Sequence, residues 1–479
     1  MNQSVTPIFD VLLKHKSNKP VSYHVPGHKG GLVFTERGRQ DYQSLLSLDV
    51  TELNGLDDLH APEGPILEAQ RLLADLYKVR ESYFLINGST VGNLAMILAV
   101  CKAGDTVLVQ RNCHKSILHG LMLANVKPVF ISPAFYREWE VAGGIDSLVV
   151  DEALTKYPDT KAVILAFPTY YGIGNDEISA ITELAHKRKI PVLVDEAHGA
   201  HFILGSPFLQ SSLTAGADIV VHSAHKTLPA MTMGSYLHIN SDLIDADRVR
   251  FYLQMLQSSS PSYPIMASLD LARSYLASFS EEDKMVLGEK ITDFRQQLDR
   301  LPGIMLLQSA ELDRLKVTIR AKKGITGFQL QKTLETKGLF TELADTQNVL
   351  FVLPLLKAEM EYPFSETVQR IGEAAAGMDT PLSVPVGVTA VYGQEKSISE
   401  LKLSYSDMKE KRKMLVPLEE SSGSVAAEMI IPYPPGVPLV MEGELIEDVK
   451  VKQLEDVITK GARFHGGSHL EKGLVWVFE

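Results

Sequence analysis

Lys226 stands in ADIVVHSAHKTLPA, where an apolar run (Ile219, Val220, Val221) leads into a polar turn carrying Ser223, His225 and the lysine. Upstream, IPVLVDEAH has the same shape, a buried strand that delivers Asp195 at its end. Either residue alone means little, because a lysine after a strand is ordinarily a solvated loop charge. An amine and a carboxylate at the ends of two strands of one α/β sheet together fit pyridoxal phosphate chemistry. The lysine would form the Schiff base, and the aspartate would keep the pyridine nitrogen protonated so that the ring absorbs carbanion charge.

FLINGSTVGNLAMILAV places Asn87, Gly88, Ser89 and Thr90 between a strand and a helix, so backbone N–H groups and two hydroxyls face whatever sits at the helix N-terminus. That arrangement is a phosphate site, although Ser and Thr also occur there as plain helix caps. The next strand ends in QRNCHKS, with His114 positioned to lie over a flat ring. His114/His119, His198/His201 and His222/His225 raise the question of a metal. No metal is expected, because three-residue spacing at a strand end does not put two rings on one side, and no cysteine or acidic ligand follows at a recognisable interval.

The elements that must carry these groups are legible as hydrophobic periodicity. Between about Glu63 and Leu301 amphipathic helices (Leu67 to Tyr77, Asn93 to Val100, Ile178 to Arg188) alternate with short apolar strands (82–86, 106–110, 128–132, 163–167, 192–195, 219–221). Such alternation predicts an α/β domain with a mostly parallel sheet and ligands beyond the carboxyl ends of its strands. We expect three regions: an arm of active-site and interface loops over 1–62, with a short helix at Pro7 to His15; a large cofactor-binding domain over 63–304; and a smaller α+β domain over 305–479. The last should hold strands at Lys316 to Arg320 and Val349 to Leu353, a helix at Gly327 to Thr336, a charged helical stretch over 397–412, and an irregular proline-rich path through EMIIPYPPGVPLVMEGE.

With 479 residues, 45% of them hydrophobic, the chain can bury a large core, and a net charge of -12 argues against broad nucleic-acid or anionic-membrane binding. Cys101 and Cys113 are too few for a disulfide framework. The opening residues lack the apolar core of a secretion signal and no run suggests a membrane span, so a cytoplasmic protein is expected.

The ordered series HVPGHKGG, LDDLHAPEG, NGSTVGN, RNCHKS, PTYYG, DEAHGAH, SAHK, SSSPSY and IPYPPGVPLVMEGE, from His24 to about Glu444, resembles the Orn/Lys/Arg decarboxylases of the aspartate aminotransferase fold. The resemblance implies pyridoxal 5'-phosphate on fold type I, with Lys226 as the Schiff-base lysine, Asp195 as the pyridinium partner and His114 as the ring-stacking residue. Ser89, Thr90, Ser223 and His225 would hold the phosphate, and Ser258, Ser259 and Ser260 would reach the phosphate of a neighbouring subunit. His198 takes the place that some acid-induced members fill with tryptophan. The chain begins almost at HVPGH, so the wing on which large relatives build decamers is expected to be missing. A homodimer or dimer of dimers with shared sites is expected.

The implied reaction is decarboxylation of a basic amino acid, arginine ahead of lysine and ornithine third, to agmatine or a diamine, with Lys226 or His225 returning a proton to Cα. Polyamine biosynthesis and acid resistance both fit. The substrate's far cation needs acidic partners, and Asp57, Asp58, Glu342 and Glu444 are the candidates, each in a motif-like loop. Two other readings stay open. An aminotransferase or lyase of the same fold would share Asp195 and Lys226 and aim Arg273 or Arg320 at the α-carboxylate, and an inert regulatory homologue would tend to have lost the lysine.

Overall fold

The computed structural model describes residues 1–322, 324–377, 396–433, 438–459 and 463–479. The chain forms two units. The first joins Met1–Val100, Pro191–Gly205 and Gln210–Ser280; the second joins Cys101–Ile190, Ser206–Leu209 and Glu281–Glu479.

In the first unit four strands lie in the order Glu81–Leu85, Ser235–Ile239, Ile219–His222 and Val192–Asp195. The last two are parallel, with Asp195 opposite Val221, while Ser235–Ile239 runs antiparallel to both of its neighbours. Val192–Asp195 and Ile219–His222 are buried along their whole length, which explains why they read as unbroken apolar runs. The helix Gly88–Val100 packs directly on this sheet. A Cβ at Gly92 would meet Leu85 at 2.7 Å and Val221 at 2.9 Å, so only glycine permits the approach that sets the helix N-terminus beside the strand ends.

Most sequence expectations hold in this unit, with the helix at Pro65–Tyr77 and the first strand at Glu81–Leu85. The arm is more ordered than its polar loops suggest. It contains helices at Pro7–Ser17 and Glu36–Leu46, and it is anchored by the buried Arg273, which donates to the Gln3 and Val5 carbonyls and, at 2.7 Å, to Asp270. Arg273 therefore holds the chain's own N-terminal segment. This corrects the reading that aims it at a substrate carboxylate.

The second unit has parallel strands Thr160–Ala166, Thr106–Gln110 and Lys127–Ile131, edged by the antiparallel Ile398–Glu400. A four-stranded antiparallel sheet follows (Ile304–Leu306, Lys316–Ala321, Asn348–Val352, Leu343–Ala344), with the helix Gly327–Thr336 where expected. A further sheet of Lys413–Pro417, Leu474–Phe478 and Val425–Ala426 shares a core with the helix Asp448–Thr459. The expected helix over 397–412 is replaced by the strand Ile398–Glu400 and a short capped helix, Tyr405–Glu410. Pairing with Lys127–Ile131 outweighs the helical propensity of the charged residues. Residues 434–437 of the proline-rich path lie outside the described residues. Arg320 donates to Asn348 and the Glu138 carbonyl and lies 4.9 Å from the Trp139 ring centroid. Cys101 and Cys113 are both buried and share no disulfide, and no described helix is long and apolar enough to cross a membrane.

Candidate active site

The parallel strands Val192–Asp195 and Ile219–His222 end side by side, and their next residues continue the pairing through Glu196 N to Val221 O (3.0 Å) and Ser223 N to Ala197 O (3.2 Å). This register brings Asp195 and the turn Ser223 to Lys226 to one edge. Asp195 is buried, and it accepts 2.8 Å from the Asn93 amide at one carboxylate oxygen and 3.2 Å from Ala197 N at the other. The Lys226 amine lies 3.0 Å from His198 Nε2, so the residue after DEA touches the reactive amine directly.

The phosphate candidates gather at the same edge. Ser223 Oγ donates to Ser89 Oγ at 2.8 Å, linking the turn to the helix N-terminus. Gly88, at φ +78°, has open space where a side chain would stand, and its N–H is fixed by the Met233 carbonyl at 3.0 Å. Thr90 is exposed in the first turn of that helix. His225 Nδ1 meets the Gly234 carbonyl at 2.9 Å; a carbonyl only accepts, so Nδ1 carries a proton. The buried hydroxyl of Thr227, next to Lys226, has no protein partner. An amine, a held carboxylate, paired hydroxyls at a helix N-terminus and a buried hydroxyl awaiting a partner fit pyridoxal phosphate.

Ser258, Ser259 and Ser260 are exposed. The segment is tied to this edge by Ser258 N to Asn87 Oδ1 (3.2 Å) and by His60 Nε2 on the Ser258 carbonyl (2.9 Å). His114 belongs to the second unit, where it caps the helix Lys115–Ala124, its Nδ1 2.7 Å from Ser116 Oγ. Among the described residues no cluster of three His, Cys, Asp or Glu side chains could hold a metal.

Two of the four cation candidates have several close protein partners. Asp57 accepts from Asp58 N, Glu63 N, Gly64 N and Ile66 N at 2.8–3.0 Å, which makes it the cap of the helix Pro65–Tyr77. Glu444 forms a two-pronged pair with the buried Arg111, at 3.0 and 2.8 Å. Burial pushes the Glu444 carboxyl up, but the Arg111 charge and hydrogen bonds outweigh it and hold the group below the ordinary glutamate range. Both carboxylates are held within the fold by these contacts. Asp58 is half-buried, with one oxygen accepting from His60 N at 2.8 Å. Glu342 is exposed on a cavity of about 500 Å³ in the second unit.

Sequence reasoning missed Asn93 and Gln257. Asn93 lies one turn beyond Ser89 on a helix that is otherwise apolar, so spacing alone puts a polar group on the site-facing side. Gln257, beside the serine run, accepts from Ile86 N at 2.9 Å just before the phosphate loop.

Comparison with known proteins decides the family. The family model for the Orn/Lys/Arg decarboxylase major domain matches residues 6–320, and that for the C-terminal domain matches 391–470. The chain belongs to the Orn/Lys/Arg decarboxylase family. As such it is an amino acid decarboxylase. It is 46% identical to the uncharacterized protein YaaO of Bacillus subtilis (strain 168), over 99% of this chain and 98% of that protein. It is 34% identical to the arginine decarboxylase of the same organism, over 97% and 96%. The solved structure of the constitutive lysine decarboxylase of Escherichia coli superposes with a TM-score of 0.80 at 22% identity, covering 99% of this decarboxylase and 82% of that chain. That likeness shows the fold: fold type I, a large domain with a mostly parallel sheet and a smaller α+β C-terminal domain.

Proposed function

We propose that this chain removes the α-carboxylate of a basic amino acid as CO2, with arginine preferred over lysine and ornithine third, leaving agmatine or a diamine. The observation that carries this is the placing of Asp195 and the Ser223 to Lys226 turn on paired parallel strand ends, with Ser89 at the adjoining helix N-terminus. Pyridoxal phosphate, when bound, supplies an electron sink for the charge left at Cα. Asp195 would hold the proton on the ring nitrogen. Ser89, Thr90, Ser223 and His225 would hold the phosphate, with His114 the candidate for the ring face. Lys226, beside His198, would carry the cofactor, and Lys226 or His225 would return a proton to Cα. The aminotransferase alternative is weakened because Arg273 is committed to the N-terminal segment and Arg320 to Asn348, Glu138 and Trp139.

The lean toward arginine rests on the 34% identity to an arginine decarboxylase over nearly the whole chain. It also suits a cytoplasmic role in polyamine synthesis. Asp57, Asp58, Glu342 and Glu444 are the acidic candidates for meeting the distal cation, and of these Asp57 and Glu444 carry the most protein contacts. Initial rates of CO2 release from arginine, lysine, ornithine and norleucine test the proposal. Arginine should lead, and norleucine should fall about 10⁴-fold behind, because a site built to pair a cation is left unpaired by a methyl group. Equal turnover of norleucine would end the cation-pocket argument, and a lead for lysine would change only the order.

The exposure of Ser258 to Ser260 supports a site shared between subunits. Lys226→Ala and Ser260→Asp chains, each inactive alone, should on equal mixing recover about a quarter of wild-type activity, since half the dimers would hold one intact site in two. No recovery after verified exchange, or full activity in a monomer, would count against sharing.

A further inference from the structure

The face of the sheet away from Asp195 carries a buried polar chain. Side chains alternate along a strand, so with Asp195 opposite Val221 the next pair, Glu196 and His222, stand together on the reverse face, and Ala197 and Ser223 return to the site side. The contacts agree. Asn93 and Ser89, from the helix Gly88–Val100, reach Asp195 and Ser223, whereas His222 Nε2 meets Glu196 Oε1 at 2.9 Å. Beyond His222, its Nδ1 lies 3.1 Å from His238 Nε2, and His238 Nδ1 lies 2.8 Å from Ser82 Oγ. Glu196, His222 and His238 are fully buried. Tyr77 covers the chain, its ring centroid 4.4 Å from that of His238 and its hydroxyl donating to the Ala200 carbonyl at 2.6 Å.

Each polar atom of this chain has a partner. Glu196 receives Ser211 Oγ (2.7 Å) on one oxygen and Ser212 N (2.6 Å) and Ser212 Oγ on the other, so it acts as an ionised acceptor and His222 Nε2 must donate. The His222 Nδ1–His238 Nε2 contact shares one proton and His238 Nδ1 meets the Ser82 hydroxyl, so the line of contacts runs unbroken from Glu196 to Ser82. Burial, and then His222, hold His238 well below the ordinary histidine range, in keeping with a neutral ring.

We propose that Glu196 and His222 are positioning residues for the cofactor site: by clamping the reverse face of the two strand ends they fix the spacing between Asp195 and the Ser223 to Lys226 turn, with His238 and Ser82 holding the His222 ring in place. This rests on the assignment of Asp195 and Lys226 to the cofactor.

Glu196→Gln puts an amide where two oxygens each receive donors, so one donor must face another. The holoenzyme should then lose pyridoxal phosphate on dilution about 10- to 100-fold faster, the scale of one buried group left unsatisfied. In the same variant kcat should fall by a similar factor with KM little changed, as expected when alignment rather than substrate binding is lost. Ser82→Ala, at the far end of the chain, should shift both readouts in the same direction but less. Leu12→Ala, a core truncation in the helix Pro7–Ser17, serves as a control for lost stability alone and should leave cofactor retention unchanged. The proposal is overturned if Glu196→Gln retains cofactor and kcat like wild type, or if Leu12→Ala loses cofactor equally at a matched melting temperature. If Glu196→Gln does not fold, Ser82→Ala decides by the same comparison. Should wild type release CO2 from none of the basic amino acids, the substrate reading fails, while cofactor retention still decides the clamp.

Discussion

Lys226→Ala should lower CO2 release by at least about 10³-fold, the scale of removing a group that bonds covalently to the reacting system. The same variant should lose its cofactor on dialysis while wild type keeps it, because phosphate contacts at Ser89 and Ser223 would remain as the main hold. In wild type, borohydride reduction before digestion should fix the cofactor on the peptide that contains Lys226. The structural ground is the position of the amine, 3.0 Å from His198 on a short turn at the end of the strand Ile219–His222. Label on another lysine, or on none, would sink the assignment, as would a Lys226→Ala enzyme with substantial turnover.

Lys226 and Asp195 were legible because each follows a short, uninterrupted apolar run, and a buried parallel strand has few other appearances in sequence. The helix that holds the phosphate candidates was placed too late, at Asn93 rather than Gly88, since Gly-Ser-Thr reads as loop until the close packing of Gly92 on Leu85 and Val221 is known. Asn93 was hidden for the same reason. The protein partners of two candidate carboxylates lie at a distance along the chain. Glu444 finds its guanidinium 333 residues away, and Asp57 caps a helix only because its loop folds back over Glu63 to Ile66. A motif-like loop with an acidic residue looks the same whether its charge faces a ligand or the fold. The reverse-face chain was equally out of reach: Glu196 and His222 adjoin residues already singled out, but that they meet depends on strand register, and His238 comes from an antiparallel strand that the reading did not identify.

Asp195→Asn should retain cofactor but lose at least about 100-fold in kcat, comparable to deleting one preorganised electrostatic contribution. A neutral amide cannot hold the ring-nitrogen proton by charge. The substitution also disturbs a hydrogen bond, because Asp195 accepts from both Asn93 Nδ2 and Ala197 N, and an amide in its place must turn its NH2 toward one of those donors. The two effects separate in the double variant Asn93→Asp/Asp195→Asn. There the carboxylate at 93 accepts from the amide at 195, so the contact is rebuilt with its polarity reversed while the charge moves one residue away from the ring nitrogen. If charge at position 195 drives the chemistry, the double variant should recover melting temperature relative to Asp195→Asn and leave kcat low. Recovery of kcat together with stability would mean that Asp195 matters for packing at the strand end, and the pyridinium partner would have to be sought elsewhere.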